Sequence, residues 1–282
     1  MSEPLVHIFN HYAMATQFQV RIANEDRTYA AQAAQTAFAL VEQLESQLSK
    51  FKAGSDIAQA AQLGIGEKLR MHEATFACLE IAQRMEFVTR GAFCITPAAL
   101  KTQPTRPLWA LLPKEFSVRC DSGRLEFDLG AIGKGFALDR MAVVLREWDC
   151  PAFLLVAGGS SILAGDGPVE TGGWSCGLGD DHSPQRYHLK NCSLSGSGLT
   201  VKGQHIFDPR TGKANVLRNR AWALTTSAAE SDALSTACMI LTEPEINEVL
   251  AANDDWLVFL QEGFAWRSLG KRTLPARAVE QG

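Results

Sequence analysis

From Ser160 to Ala223 the chain is rich in Gly, Ser and Asp and carries few helical signals, whereas the segments on both sides have helical periodicity. This uneven distribution argues against the regular strand–helix alternation that builds a doubly wound sheet. It leaves an α+β fold, with mixed or antiparallel sheets flanked by helices. Phe18, Val20 and Ile22 alternate with Gln17, Gln19 and Arg21, which predicts a half-buried strand. Ala34, Ala37, Val41, Leu44 and Leu48 recur at steps of three and four, so a helix is expected over about residues 28–48. Cys78, Ile81, Met85 and Val88 share a face of a second, over about residues 73–88. Residues 103–114 hold three of the eleven prolines and read as an irregular connection. Residues 117–129 read as a hairpin turning at Asp121-Ser122-Gly123, because Leu125, Phe127 and Leu129 alternate in its second arm. Further helices are expected over about residues 134–148, 228–241 and 243–252. A short apolar strand is expected at 153–156, short strands and loops over 160–223, and a hairpin with arms 256–260 and 264–268.

Composition narrows the function classes. A net charge of −4 over 282 residues, with no run of Lys and Arg, lacks the basic stripe that nucleic-acid binding needs. The start, Met-Ser-Glu-Pro-Leu-Val-His, has no basic region followed by an apolar stretch, and no run of about 18 apolar residues is present. The expectation is a cytoplasmic protein without a transmembrane segment. Seven cysteines, an odd number with no CxxC pair, argue against a disulfide framework or a zinc site and fit a reducing compartment.

Four segments carry residues suited to chemistry. In Asp128-Leu129-Gly130-Ala131-Ile132-Gly133-Lys134-Gly135-Phe136-Ala137-Leu138-Asp139 a strand leads through a glycine turn into a helix. Free N–H groups at a helix start attract phosphate, and Lys134 adds charge. The spacing GxxxxGK[ST] is absent, so this is no P-loop. Alone, it reads equally as a strand–helix turn whose glycines serve the backbone. Gly158 and Gly159, directly after an apolar strand, either let a ligand approach or make a sharp turn. Ser195-Gly196-Ser197-Gly198 precedes His205-Ile206-Phe207-Asp208-Pro209-Arg210-Thr211-Gly212. Asp208 to Gly212 is good turn chemistry, and His205 beside it is either structural or a base able to deprotonate a hydroxyl. Asp232 and Thr236, four apart on one helix face, offer two hard oxygens that suit Mg²⁺, or are simply an ordinary polar helix start.

Taken in this order, these segments resemble the ApbE family of FAD:protein FMN transferases. The likeness extends from His11 to about Phe264. Met14-Ala15-Thr16 resembles the family's Met-Gly-Thr. Ser49-Lys50-Phe51 and Ser55-Asp56-Ile57 resemble its Ser-x-Phe and Ser-Glu-Leu. Gly91-Ala92-Phe93 with Ile95-Thr96 resembles its Asp-Gly-Ala-Phe-Asp-Ile-Thr. The resemblance implies an ApbE-like, T-fold-related architecture in one domain over 1–282, arranged around an FAD cleft. It implies a reaction in which FAD binds with its pyrophosphate beside Mg²⁺. A Thr or Ser hydroxyl of an acceptor flavoprotein then attacks the phosphorus on the FMN side, and AMP leaves. Asp232 and Thr236 would hold the metal with a backbone carbonyl near Gly133. His205 would take the hydroxyl proton. Met14, Lys134, Gly158, Gly159, Ser195, Gly196 and Asp208 would line the FAD site. Asp139 would orient part of the nucleotide or cap its own helix.

There are departures. Arg90 and Cys94 stand where the family has Asp, Ala61 where it often has Asn, and Ala15 replaces a glycine. The segment after Leu100 is short for the family. Two other readings follow from these departures: an FAD pyrophosphatase, with water as the acceptor, and a non-catalytic FAD-binding protein.

Overall fold

The structure, a computed structural model, describes residues 5–24, 26–97, 108–121, 125–169, 171–178, 185–198, 207–213, 217–263 and 265–273. Its centre is an antiparallel sheet. β1 (Val6–Ala13) and β2 (Thr16–Ala23) form a hairpin at one edge. Next come β6 (Phe153–Ala157), β7 (Ser161–Ala164), β10 (Cys192–Gly198), β11 (Arg220–Thr225), β12 (Leu257–Glu262) and β13 (Ala265–Leu269), in the order β1-β2-β6-β7-β10-β11-β12-β13. A hairpin of β8 (Trp174–Leu178) and β9 (Gln185–Leu189) forms a separate two-stranded sheet.

Both faces of the inner strands are largely buried, whereas the edge strands β1, β2 and β13 are polar or exposed on one side. Phe153, Leu155, Ala221, Ala223, Val258 and Leu260 face a core shared with the helices. Leu154, Leu194, Leu224, Leu257 and Phe259 face a second cluster closed by Trp174, Cys176, Leu178 and Leu189 of β8 and β9. The helical layer begins with α1 (Arg27–Leu48). Asp26 caps it by accepting from Thr28 N and Tyr29 N, and its stripe from Ala30 to Leu48 is buried. A short α2 (Asp56–Ala60), α3 (Glu73–Val88), α4 (Gly133–Glu147), α5 (Ala228–Cys238) and α6 (Glu243–Ala251) complete it. α6 starts with a capping box between Thr242 and Glu245. Among the described residues, no helix is long and apolar enough to cross a membrane.

The helices expected near 28–48, 73–88, 134–148, 228–241 and 243–252 are present within a few residues, as are the strand at 153–156 and the last hairpin. Two expectations are corrected. Residues 109–112 of the proline-rich connection form a strand, β4 (Trp109–Leu112). The hairpin over 117–129 does not form. Its first arm, β5 (Ser117–Cys120), is the middle strand of a small sheet between β3 (Lys68–Arg70) and β4, so both its edges are already paired. Residues 125–129 belong to no strand ladder among the described residues, bury Leu125, Phe127 and Leu129, and attach through Asp128 N to the Ile95 carbonyl at 2.6 Å. The alternation is real, but it reports one-sided burial rather than a ladder. Ser122 and Gly123 lie outside the described residues.

Candidate functional site

Three features meet at one end of the central sheet. The first is the β1–β2 turn. Met14 and Ala15 fill a two-residue loop, with φ of 49° and 56°. Positive φ at both central positions is what a hairpin matching the strand twist demands. The second is the β6–β7 turn. Gly158 N donates to the Gln17 carbonyl at 2.8 Å, and Gly158 has φ of +58°. A Cβ there would lie 2.7 Å from Thr16 Oγ1, so glycine is favoured by both φ and space. The third is the end of β10, where Gly196 N donates to the Ser160 carbonyl at 2.7 Å. Met14, Gly158, Gly159, Ser195 and Gly196 thus come from three turns or strand ends that lie side by side.

Over this end lies α5. Ser161 of β7 and Ser195 of β10 are cross-strand partners, and with Ser197 they point to the helix-covered face. Ser161 Oγ donates to Asp232 Oδ1 at 2.6 Å. Ser197 Oγ is 2.9 Å from Ser235 Oγ and 3.2 Å from Thr236 Oγ1. Thr236 Oγ1 also donates to the Asp232 carbonyl at 3.0 Å, the usual back-bond of a helical threonine. Ser195 Oγ is fully buried and has no hydrogen-bond partner among the described residues.

The glycine turn approaches Asp232 from the other side. α4 starts at Gly133, and no side chain of its own N-cap residue closes it. Gly135 N donates instead to Asp232 Oδ2 at 2.8 Å, and Lys134 Nζ lies 3.8 Å from the same oxygen. Gly135 is needed for this approach, because a Cβ on it would sit 2.1 Å from the Ala228 carbonyl oxygen. Asp139, one turn further along α4, accepts from Ser227 Oγ at 2.7 Å and from the N–H groups of Ala228 and Ala229 at 2.7 and 3.0 Å. Its carboxylate closes the N-terminus of α5 rather than that of its own helix. Desolvation raises its pKa, and the hydrogen bonds from Ala229, Ser227 and Ala228 partly oppose that rise.

Asp208 sits in a tight loop closed by its pairing with Lys213. It is buried, and Arg210 takes up its carboxylate through N, Nε and Nη2 at 2.8 to 3.1 Å, while reaching Glu245 of α6 at 2.6 Å. His205 lies outside the described residues. Beside the glycine turn a cavity of about 320 Å³ opens among Lys50, Phe51, Ile57, Ala61, Pro97 and Asp128. Lys50 Nζ pairs with Asp128 Oδ2 at 2.8 Å on its rim, and the other Asp128 oxygen accepts Gly130 N at 2.9 Å. Ala61 contributes a methyl group to the lining of this cavity. Arg90, with φ of 52°, turns to Glu248 of α6 at 2.5 Å. Cys94 Sγ accepts Thr96 N at 3.3 Å, much as an aspartate oxygen would.

Ser161, Ser197 and Ser235 are absent from the site residues expected from the sequence. Their only local trace was the alternation of serines along β10 and a serine just after a glycine turn. The reciprocal contacts of Gly135 and Asp139 had no local trace.

A helix start of glycines and lysine facing a buried carboxylate and several hydroxyls marks a class: α+β proteins with a polar site at one end of an antiparallel sheet. The model of the ApbE family matches residues 14–260, and the chain belongs to that family. It is 21% identical over 247 residues to the FAD:protein FMN transferase of Klebsiella pneumoniae (strain 342), covering 75% of each chain. It is 27% identical over 146 residues to that of Treponema pallidum (strain Nichols), an alignment that spans 40% of that relative and 44% of this chain. The structure of the flavin transferase ApbE from Vibrio cholerae shares its fold, with a TM-score of 0.81 and 18% identity over 94% of this chain and 97% of that one.

Proposed function

We propose that this chain transfers FMN from FAD to a Thr or Ser hydroxyl of a partner flavoprotein, releasing AMP, with Mg²⁺ at Asp232. Its relatives' names support flavin transfer. The observation that carries the reading is the position of Asp232, a buried carboxylate held between the N-terminal turn of α4 and the serine face of β7 and β10.

The residues suit a hard cation. Asp232 is 5% exposed, its carboxylate accepts the Ser161 hydroxyl, and the Thr236 hydroxyl lies one turn further along the helix. The buried hydroxyl of Ser195 on the same face has no hydrogen-bond partner among the described residues, so it is a polar atom suited to meet a ligand. Asp232 and Thr236 would hold Mg²⁺, with a backbone carbonyl near Gly133. When bound, the cation would neutralise charge on the phosphate oxygens.

The rest is work for the chain's own groups. Lys134 at the start of α4 binds the pyrophosphate and fixes its orientation. Open space beside Gly159 leaves room for the dinucleotide against backbone, and Met14 borders it. His205 accepts the proton of the attacking hydroxyl. The hydroxyl oxygen then bonds to the FMN-side phosphorus, the bond to the bridging oxygen breaks, and AMP carries that oxygen away. A cytoplasmic location belongs to the same reading, because seven free cysteines suit a reducing compartment.

The experiment is co-expression with candidate flavoproteins, followed by intact-mass and peptide mass spectrometry. The expected result is an acceptor carrying FMN on a Thr or Ser, dependent on active-site residues of this chain. Rapid conversion of FAD to FMN and AMP without any acceptor would replace the reading with hydrolysis. Binding of FAD without turnover, even with an acceptor present, would replace it with a binding role.

A further inference from the structure

α4 and α5 exchange carboxylates. Asp232 of α5 accepts Gly135 N in the first turn of α4. Asp139 of α4 accepts Ala228 N and Ala229 N in the first turn of α5, and also Ser227 Oγ. Each helix start therefore has N–H groups satisfied by the other helix's acid, and each acid sits at the positive end of a helix dipole. The helices touch between these contacts at Gly135, where there is no room for a side chain. The far end of α5 is held as well. Arg218, 4% exposed, donates Nη1 to the carbonyls of Cys238 and Leu241, the latter at 2.7 Å. The helix bearing Asp232 and Thr236 is thus clamped by an anion at its start and a cation at its finish.

We propose that Asp139 is a positioning residue for the cation site. It does not touch the nucleotide but sets where Asp232 and Thr236 stand relative to the glycine turn. Translation of α5 along α4 would break the three Asp139 contacts along with the one between Asp232 and Gly135 N. Supporting groups of this kind are worth about 10–100-fold in metal affinity. The inference rests on the reading of Asp232 as the cation ligand.

The test uses Mn²⁺ as an EPR-visible probe, titrated into the whole protein with saturating FAD. Wild type, Asp139→Asn, Ser227→Ala and Asp232→Asn are compared. FAD affinity without metal is measured on each by fluorescence, and folding by circular dichroism and urea midpoint. Asp139→Asn is expected to weaken Mn²⁺ about 10-fold or more, with FAD affinity in the absence of metal within about twofold of wild type. Ser227→Ala, which keeps Asp139 but removes one of its partners, is expected to give a smaller loss in the same direction. It serves as the measurement if Asp139→Asn fails to fold. Unchanged Mn²⁺ affinity in both variants, with Asp232→Asn impaired, overturns the role of Asp139 alone. A fall in metal-free FAD affinity for Asp139→Asn, with Mn²⁺ affinity unchanged, overturns it in favour of nucleotide contact. Mn²⁺ binding that is equal in wild type and Asp232→Asn overturns the underlying reading of the site.

Discussion

Asp232 Oδ2 accepts the amide hydrogen of Gly135 at 2.8 Å, across 97 positions of sequence. One carboxylate therefore does two jobs. It satisfies a helix N-terminus that its own N-cap residue leaves open, and it brings negative charge to the glycine turn. Lys134 at 3.8 Å shares that charge.

Asp232→Asn separates these jobs. The amide keeps the shape and one oxygen, but removes the charge. Mg²⁺ affinity measured calorimetrically with FAD present is expected to fall at least about tenfold, the scale of a lost charge-assisted contact of about 1.5–3 kcal/mol. Flavin transfer at limiting Mg²⁺ should fall with it. Full transfer by this variant under limiting Mg²⁺ would remove Asp232 from the cation site.

Two glycines of one turn are expected to respond very differently to alanine. Gly135→Ala drives a methyl group into the Ala228 backbone, with its oxygen at 2.1 Å, and backbone cannot rotate away. The expected cost is about 3 kcal/mol or more, at the upper end of overpacking changes. Gly133→Ala meets only the Leu129 Cβ at 3.7 Å, an ordinary contact, and should stay within about 0.5 kcal/mol of wild type. Urea unfolding of both variants checks the contrast. Equal midpoints would mean that α4 and α5 do not pack so closely.

Ala15 holds φ of 56° in the β1–β2 turn. A residue with a Cβ is strained there by roughly 1–2 kcal/mol, while glycine costs up to about 1 kcal/mol in unfolded-chain entropy. Ala15→Gly is therefore expected to stabilise the protein by about 0.5–1 kcal/mol, read as a higher urea midpoint at unchanged slope. A destabilised variant would contradict the left-handed geometry.

The raised pKa of Asp139 has a defined sign in stability. Its carboxyl holds a proton more tightly in the fold than in the unfolded chain, where the ordinary value is 3.8. The stability linked to that proton is fully present below the ordinary value and is lost as pH rises through the raised folded value. Asp139→Asn carries no such proton. The stability of the variant relative to wild type should therefore improve between about pH 4 and pH 7, on top of a constant loss from the altered hydrogen bonds. Urea midpoints at the two pH values decide it, and a difference that falls with pH would reverse the sign argued here.

Much of this architecture was legible locally. The α1 stripe of Ala34, Ala37, Val41, Leu44 and Leu48 has a period that only a helix satisfies, and it is buried as a helix face. The glycine turn before α4 and the helical pair Asp232 and Thr236 were visible as spacings. The alternation at Leu125, Phe127 and Leu129 misled, because burial on one side gives a period of two whether or not a strand lies alongside. Asp139 showed itself as an acid four residues after Gly135. Nothing near it indicated that its partners lie at Ser227, Ala228 and Ala229.

What the amino-acid order determined alone is therefore the set of elements and the kinds of chemical group at their ends, because periodicity, capping and turn preference act over a few residues. The tertiary structure decided which acid serves which helix, that Ser161 and Ser197 face Asp232 and Thr236, and that Gly135 must be bare. Those outcomes depend on groups brought together from distant parts of the chain, whose closeness is created only when the sheet and the helical layer close on one core.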